Sequence, residues 1–274
     1  MIGTQNIIYK MFDLKNKVIV ITGATGVLAS SLALSLAKNN ARLVLLGRNQ
    51  KLLDELTKKT NQYTVVENYT ADVLKKSDLE KVCKKVVKSF DRIDVLVNAV
   101  GGNLPGAVIP DSKSIFDFFE NDFDEVVDLN LKGTIMPSVV FGKVMAKQAS
   151  GSIINYSSMT VDRVITRVVG YSAAKAAMEN FTRWMAVEMA LKFGDGIRVN
   201  AIAPGFFIGK QNPMLPMWRV FFKPARAVRS SNPGSRHDGC DLETGTSTGT
   251  LHFREKTGSA YHSSTRVRCT IARP

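Results

Sequence analysis

From Lys17 onward the chain alternates short β-branched apolar runs with longer amphipathic stretches, and that rhythm restricts the fold more than any other feature. It predicts strands at 18–22, 42–46, 63–68, 95–98, 152–156 and 198–202. Each is short and apolar, as strands covered on both faces must be. Between them, 28–38, 50–60, 77–89, 123–147 and 172–192 carry apolar residues at helical spacing, and each crossover is long enough for a helix. Right-handed crossovers then give an α/β, doubly wound parallel sheet with helices on both faces and a ligand crevice at the carboxyl ends of its strands. At 274 residues, 45% of them hydrophobic, one such domain buries a large core.

After Pro213 the rhythm stops. Residues 230–274 are dominated by Ser, Thr, Gly and Arg, and we expect them to be mostly irregular. The composition shifts at the same place: 213–274 contains 8 Arg but only 2 Lys, and all 3 His of the chain (His237, His252, His262). Nearly half of the net charge of +13 falls there, without basic runs interleaved with aromatics, so nucleic-acid binding is not expected. The expected division is 1–212, a dinucleotide-binding and catalytic domain, and 213–274, an atypical segment. The change in character suggests that residues from about 213 onward stem from an out-of-frame reading of the gene. No apolar run is long enough to span a bilayer, and residues 1–16 lack the features of a secretory signal, so no membrane partner and a cytoplasmic location are expected. Cys83, Cys240 and Cys269 are far apart and lack metal-ligand spacing, so no metal is expected.

The turn Thr22-Gly23-Ala24-Thr25-Gly26-Val27-Leu28-Ala29 falls between the first strand and the first helix, where backbone amides must reach a pyrophosphate. Gly23 permits the tight turn, Gly26 the close approach, and Ala29 close helix–strand packing, so Gly23, Thr25, Gly26, Val27 and Leu28 are cofactor candidates. The second strand ends Gly47-Arg48, with no acid to bind the ribose 2′-hydroxyl of NAD(H). Arg48 suits the 2′-phosphate of NADP(H), the preferred cofactor, with NAD(H) the alternative; a solvated surface arginine is the other reading of Arg48. Asp72 and Val73 are placed at the adenine edge, and Asn98, Ala99 and Gly101 after the fourth strand beside the cofactor.

Hydride transfer to a carbonyl builds charge on oxygen, so a site for it needs a proton donor and a means of making that donor acidic. Tyr171 and Lys175 are four apart on one helix face, where the ammonium can stabilise a phenolate. Ser158, at the end of the fifth strand, can hydrogen-bond the substrate oxygen. On spacing alone a Tyr-x-x-x-Lys pair is common on helices; the surrounding motifs make it specific.

Over roughly 14–210 the chain resembles the short-chain dehydrogenase/reductase family, a Rossmann-like fold. The resemblance rests on TGATGVLA, Asp72-Val73, NAVG, Asn130 in DLNLKG, Ser158 in INYSS thirteen residues before Tyr171, YSAAK and NAIAPGFF. It implies that Tyr171 is the acid/base, that Lys175 lowers its pKa and holds the nicotinamide ribose, that Ser158 orients substrate, and that Asn130 supports a proton-relay water. Pro204 and Gly205, with Phe206 and Phe207, would flank the nicotinamide. The partner implied is a small carbonyl or alcohol. TGATGVLA with Gly101-Gly102-Asn103 looks like the sugar-acid branch that interconverts D-fructuronate and D-mannonate.

The departures are Val27 and Ala29 where the family usually has glycines, NAVG for NNAG, and no legible substrate-covering helix pair or last strand after Asn212. The family's homodimers and homotetramers are therefore in question here. Two other readings stay open: a dinucleotide-binding protein without turnover, regulatory or truncated, and a 3-oxoacyl ketoreductase. Met11 begins the part that matches, with 1–10 read as an upstream extension.

Overall fold

The computed structural model describes residues 13–205 and two further strands, 246–254 and 264–272. Six strands follow the predicted rhythm: β1 (Val18–Thr22), β2 (Arg42–Gly47), β3 (Val66–Thr70), β4 (Val95–Asn98), β5 (Gly151–Tyr156) and β6 (Ile197–Ala203). They pair in parallel in the order β3-β2-β1-β4-β5-β6. The helices are α1 (Val27–Lys38), α2 (Gln50–Thr60), α3 (Lys76–Phe90), α4 (Glu120–Val127), α5 (Gly133–Gln148) and α6 (Val169–Phe193).

β1 shows why the sheet is wound on both sides. All five of its residues are buried, and they alternate: Ile19 and Ile21 join Ala29, Ala33, Ala37, Leu53 and Leu56 of α1 and α2 on one face. Val18 and Val20 join Leu79, Val86, Phe141, Met145 and Met185 of α3, α5 and α6 on the other. Three alanines on one face of α1 let that helix approach the sheet closely. The strand order reverses between β1 and β4, so the loops after these two strands diverge and open the crevice above their carboxyl ends.

Three boundaries differ from those expected. β3 starts at Val66 because Tyr63 still belongs to the turn that ends α2, its N–H bonding Thr60 O at 3.0 Å. The helix expected over 123–147 is two helices joined by a π-turn, Asp128–Lys132, with buried Asn130 in the middle. The Asn130 side chain donates to Val126 O at 2.8 Å, satisfying a carbonyl of the preceding turn.

The third difference is in the segment expected to be irregular. Two strands lie there, β7 (Thr246–Arg254) and β8 (Ser264–Ala272), paired antiparallel to each other, and β8 runs antiparallel beside β6. The short alternation Val267, Cys269, Ile271 between Arg266, Arg268 and Thr270 carries the period of a strand, and β-branched residues recur in both stretches. No helix among the described residues is long and apolar enough to cross a membrane.

Candidate active site

The dinucleotide end is built from backbone. Gly23 has φ +63°, and a Cβ there would stand 2.9 Å from both Ala99 O and Val100 N, so only glycine lets the turn after β1 touch the turn after β4. Ala24 N–H bonds Leu46 O at 2.9 Å and Ala99 N–H bonds Thr22 O at 3.3 Å, drawing the ends of β1, β2 and β4 together. Thr25 reaches to within 3.7 Å of the position a Gly47 Cβ would take. α1 then begins at Val27 behind Gly26, with no side-chain cap and no acidic residue in its first turn.

Its neighbour α2 is different, since Asn49 Oδ1 accepts from Leu52 N–H at 3.1 Å and caps it. The free N–H groups and positive end of α1 therefore fit a pyrophosphate. Leu28 is half-buried and Val27 exposed beside that turn. Arg48 is exposed just past β2. Asp72 Oδ1 accepts from Leu74 N–H at 3.0 Å, bracing the turn after β3, and Val73 is buried.

Asn98 is the residue whose placement departs most from expectation. Its side chain points inward, Nδ2 donating to Ser138 Oγ at 2.8 Å and Asn155 Oδ1 at 2.9 Å, so only its backbone is left at the crevice. That pair opens a buried polar chain: Asn155 Nδ2 donates to Thr182 Oγ1 at 2.9 Å, and Ser138 Oγ to Thr134 O at 2.8 Å. The chain ties β4, β5, α5 and α6 together below the reacting groups.

The structure brings the expected chemical residues into one place. Ser158 is buried just beyond β5 and its Oγ accepts from Thr160 N–H at 3.2 Å. Tyr171 lies in the first turn of α6, with Ser158 the side chain that acts on its hydroxyl. Lys175, 3% exposed, donates from Nζ to Tyr156 O at 2.8 Å, and its ammonium lies 5.8 Å from the centre of the Tyr171 ring. Burial raises the Tyr171 pKa and Ser158 opposes it. Burial also lowers Lys175 to about 8. Desolvation is thus the larger influence on the Tyr171 phenol, and the group acting against it is Ser158.

Asn130 is likewise committed. Nδ2 donates to Gly102 O at 2.8 Å and Oδ1 accepts from Gly102 N–H at 3.0 Å, so it clamps the glycine loop after β4. Gly101 is required there, since a Cβ would stand 2.6 Å from Asn130 Oδ1 and 2.9 Å from Lys175 Nζ. Pro204 O accepts from Met159 N–H at 3.2 Å, bracing the Ser158 turn from β6, whereas Phe206 and Phe207 lie outside the described residues.

Two groups were missed. Arg167, at φ +73°, donates to Ile109 O at 2.6 Å and pairs with Asp111 at 2.7 Å, while Ile109 N–H bonds Arg167 O at 2.9 Å. This latch fastens the strap after β4 to the segment entering α6, and no local pattern announces it. Glu179, 2% exposed, accepts from Ser157 Oγ at 2.6 Å. Its signal was present: it stands one turn past Lys175 and two past Tyr171 on the same helix face.

Residues 17–213 match the short chain dehydrogenase family. The chain belongs to that family. It is 40% identical over 212 residues to an uncharacterized oxidoreductase, UxuB, of Bacillus subtilis strain 168, covering 73% of this chain and 74% of that one. The solved structure of a proposed D-mannonate oxidoreductase from Haemophilus influenzae with bound NAD is 38% identical, with a TM-score of 0.68 over 75% of this chain and 76% of the other. NAD-bound xylitol dehydrogenase is 28% identical, with a TM-score of 0.64 over 70% and 71%. This short-chain dehydrogenase is therefore an oxidoreductase that takes a nicotinamide cofactor, with the Rossmann-like sheet of its relatives.

Proposed function

We propose that this dehydrogenase reduces the keto group of a sugar acid such as D-fructuronate, and runs the reverse oxidation of D-mannonate, with Tyr171, Ser158 and Lys175 as the reacting and orienting groups. The observation that carries the reading is the convergence of these three side chains above the carboxyl ends of β4 and β5, within reach of the Gly101 loop. The bound nicotinamide supplies or accepts the hydride.

Ser158 holds the carbonyl oxygen, and the Tyr171 hydroxyl donates its proton to that oxygen as charge develops. A raised phenol pKa keeps Tyr171 protonated at neutral pH, in the form that carbonyl reduction needs. Lys175, anchored on Tyr156 O, would hold the nicotinamide ribose with its remaining N–H groups. Asn130 keeps the glycine loop seated beside Lys175.

The sugar-acid substrate is supported by the likeness to the Haemophilus protein, and NADP(H) by Gly47-Arg48 at the end of β2; the NAD bound in that neighbour favours the alternative. The division at 212 is supported by the end of the family match at 213. The three scattered cysteines are consistent with a reducing compartment, the cytoplasm.

The decisive experiment follows reduced-nicotinamide absorbance with D-fructuronate, D-mannonate, pentitols and 3-oxoacyl thioesters, each with NAD(H) and NADP(H), alongside Tyr171→Phe. Turnover of the sugar acids that Tyr171→Phe abolishes supports the proposal. Preferred turnover of another panel member would replace the substrate. Cofactor binding without turnover on any of them would favour the second reading, a dinucleotide-binding protein, which the lack of a family match for 214–274 keeps in play.

A further inference from the structure

Glu179 is a carboxylate that the hydride chemistry does not call for. It is buried at 2% exposure in the middle of α6, where removing a charge from water is costly unless its oxygens are engaged. One oxygen accepts from Ser157 Oγ at 2.6 Å, and the other lies 3.9 Å from Arg183 Nη1 one turn further along.

The position of its partner gives the contact meaning. β5 ends at Tyr156, so Ser157 and Ser158 lie beyond the strand itself. Four consecutive residues there are each held by one face of α6. Asn155 donates to Thr182, Tyr156 O accepts from Lys175, Ser157 donates to Glu179, and Ser158 meets Tyr171. Ser157 N–H is also fixed, to Ile202 O at 2.7 Å, so the Glu179 contact sets the remaining freedom of that residue. Of the four contacts, only this one lies directly beside Ser158 in the chain and involves no reacting group.

We infer that Glu179 is a positioning residue of the site: by gripping Ser157 it sets where Ser158 stands relative to Tyr171. The inference rests on the reading of Ser158 and Tyr171 given under the proposed function. In this role Glu179 acts through the Ser157 hydroxyl and not on the reacting atoms. A displacement of about 1 Å at an orienting group is enough to cost about 100-fold in rate.

The test is run on the full chain as Glu179→Ala, Glu179→Gln, Ser157→Ala and Ser157→Ala/Glu179→Ala. Its first readout needs no turnover: the ionisation midpoint of Tyr171, followed by NMR of ring-labelled tyrosine and assigned among the six tyrosines with Tyr171→Phe. Lys175 is the charged group over that ring and is unchanged throughout. Because Ser158 acts to lower the Tyr171 pKa, a displaced Ser158 moves the midpoint upward in Ser157→Ala and Glu179→Ala.

The second readout is steady-state kinetics, where both variants lose about 10- to 100-fold in kcat while the cofactor Kd stays within about twofold. The double variant is no worse than either single one, since both remove one contact. Glu179→Gln keeps an acceptor for Ser157 and restores both readouts. An unmoved Tyr171 midpoint in a folded Ser157→Ala protein overturns the inference, as does a Glu179→Gln that behaves like Glu179→Ala. If Glu179→Ala does not fold, Ser157→Ala and Glu179→Gln decide alone. A wild-type enzyme inactive on every sugar acid would overturn the substrate reading, and the tyrosine titration would still decide this one.

Discussion

The two ends of the crevice are made of different materials. At the phosphate turn the chain withdraws its side chains: Gly23 and Gly26 allow one backbone to approach another, and the first turn of α1 is left uncapped. At the catalytic end the side chains are everything, and Ser157, Ser158, Lys175, Glu179 and Thr182 are all buried and bonded. The first end is defined by what a side chain would obstruct, the second by what a missing polar atom would leave unpaired. They should accordingly fail in opposite ways, one when bulk is added and the other when atoms are removed.

The largest effect is expected at the catalytic end. Tyr171→Phe removes the proton donor and should lower kcat by about 10²- to 10⁴-fold, with the cofactor Kd from fluorescence titration unchanged. A loss of cofactor binding on the same scale would erase the contrast between the ends. Gly101→Ala tests the place where they meet. The added methyl group would collide with Asn130 Oδ1 and Lys175 Nζ, so both kcat and cofactor affinity should fall, by about 5- to 150-fold if relieving the clash costs about 1–3 kcal/mol. Gly23→Ala should instead weaken the cofactor and leave the kcat at saturation nearly intact, because its obstacle is the backbone of Ala99 and Val100.

A pH experiment sharpens the contrast from the side of stability. Lys175 is lowered from 10.5 to about 8, so between those values the unfolded chain holds a proton that the folded chain has released. Folding stability then gains from this group as pH rises from about 8 toward 10.5, and its penalty is fully present below 8. Subtracting the thermal stability of Lys175→Met from that of wild type across this range should give a rising difference; a flat one would mean that the ammonium is not desolvated. The smallest effect is expected at Arg48, exposed at the rim. Arg48→Ala should weaken NADP binding by about 10- to 100-fold, the worth of a charge-assisted hydrogen bond, and hardly alter NAD. Equal losses would make Arg48 an ordinary surface residue.

The phosphate-turn end was readable in the sequence because its determinants are local. A strand, small residues at fixed offsets and a helix are contiguous, and the six parallel strands followed from apolar runs that need no partner to be recognised. At the catalytic end the four-residue spacing of Tyr171 and Lys175 was equally legible. The inward direction of the Asn98 side chain was not legible because it depends on Ser138 and Asn155, 40 and 57 residues away. Arg167 was missed for the same reason, its partner Ile109 lying 58 residues back. The π-turn escaped because one extra residue barely disturbs a helical apolar pattern, and β7 and β8 because alternation over so few residues among Ser, Thr and Arg does not stand out from their composition.

That π-turn has a consequence for how this stretch tolerates change. One α-helical residue turns the chain by about 100°, so deleting a single position between Val127 and Gly133 to recover a regular helix would rotate everything downstream by that amount. Ser138 would swing away from Asn98, and Phe141 and Met145 would leave the sheet. The stretch 128–138 therefore accepts exchanges away from buried Asn130, Thr134 and Ser138 far more readily than any change of length, because one lost residue would move all of its downstream contacts at once.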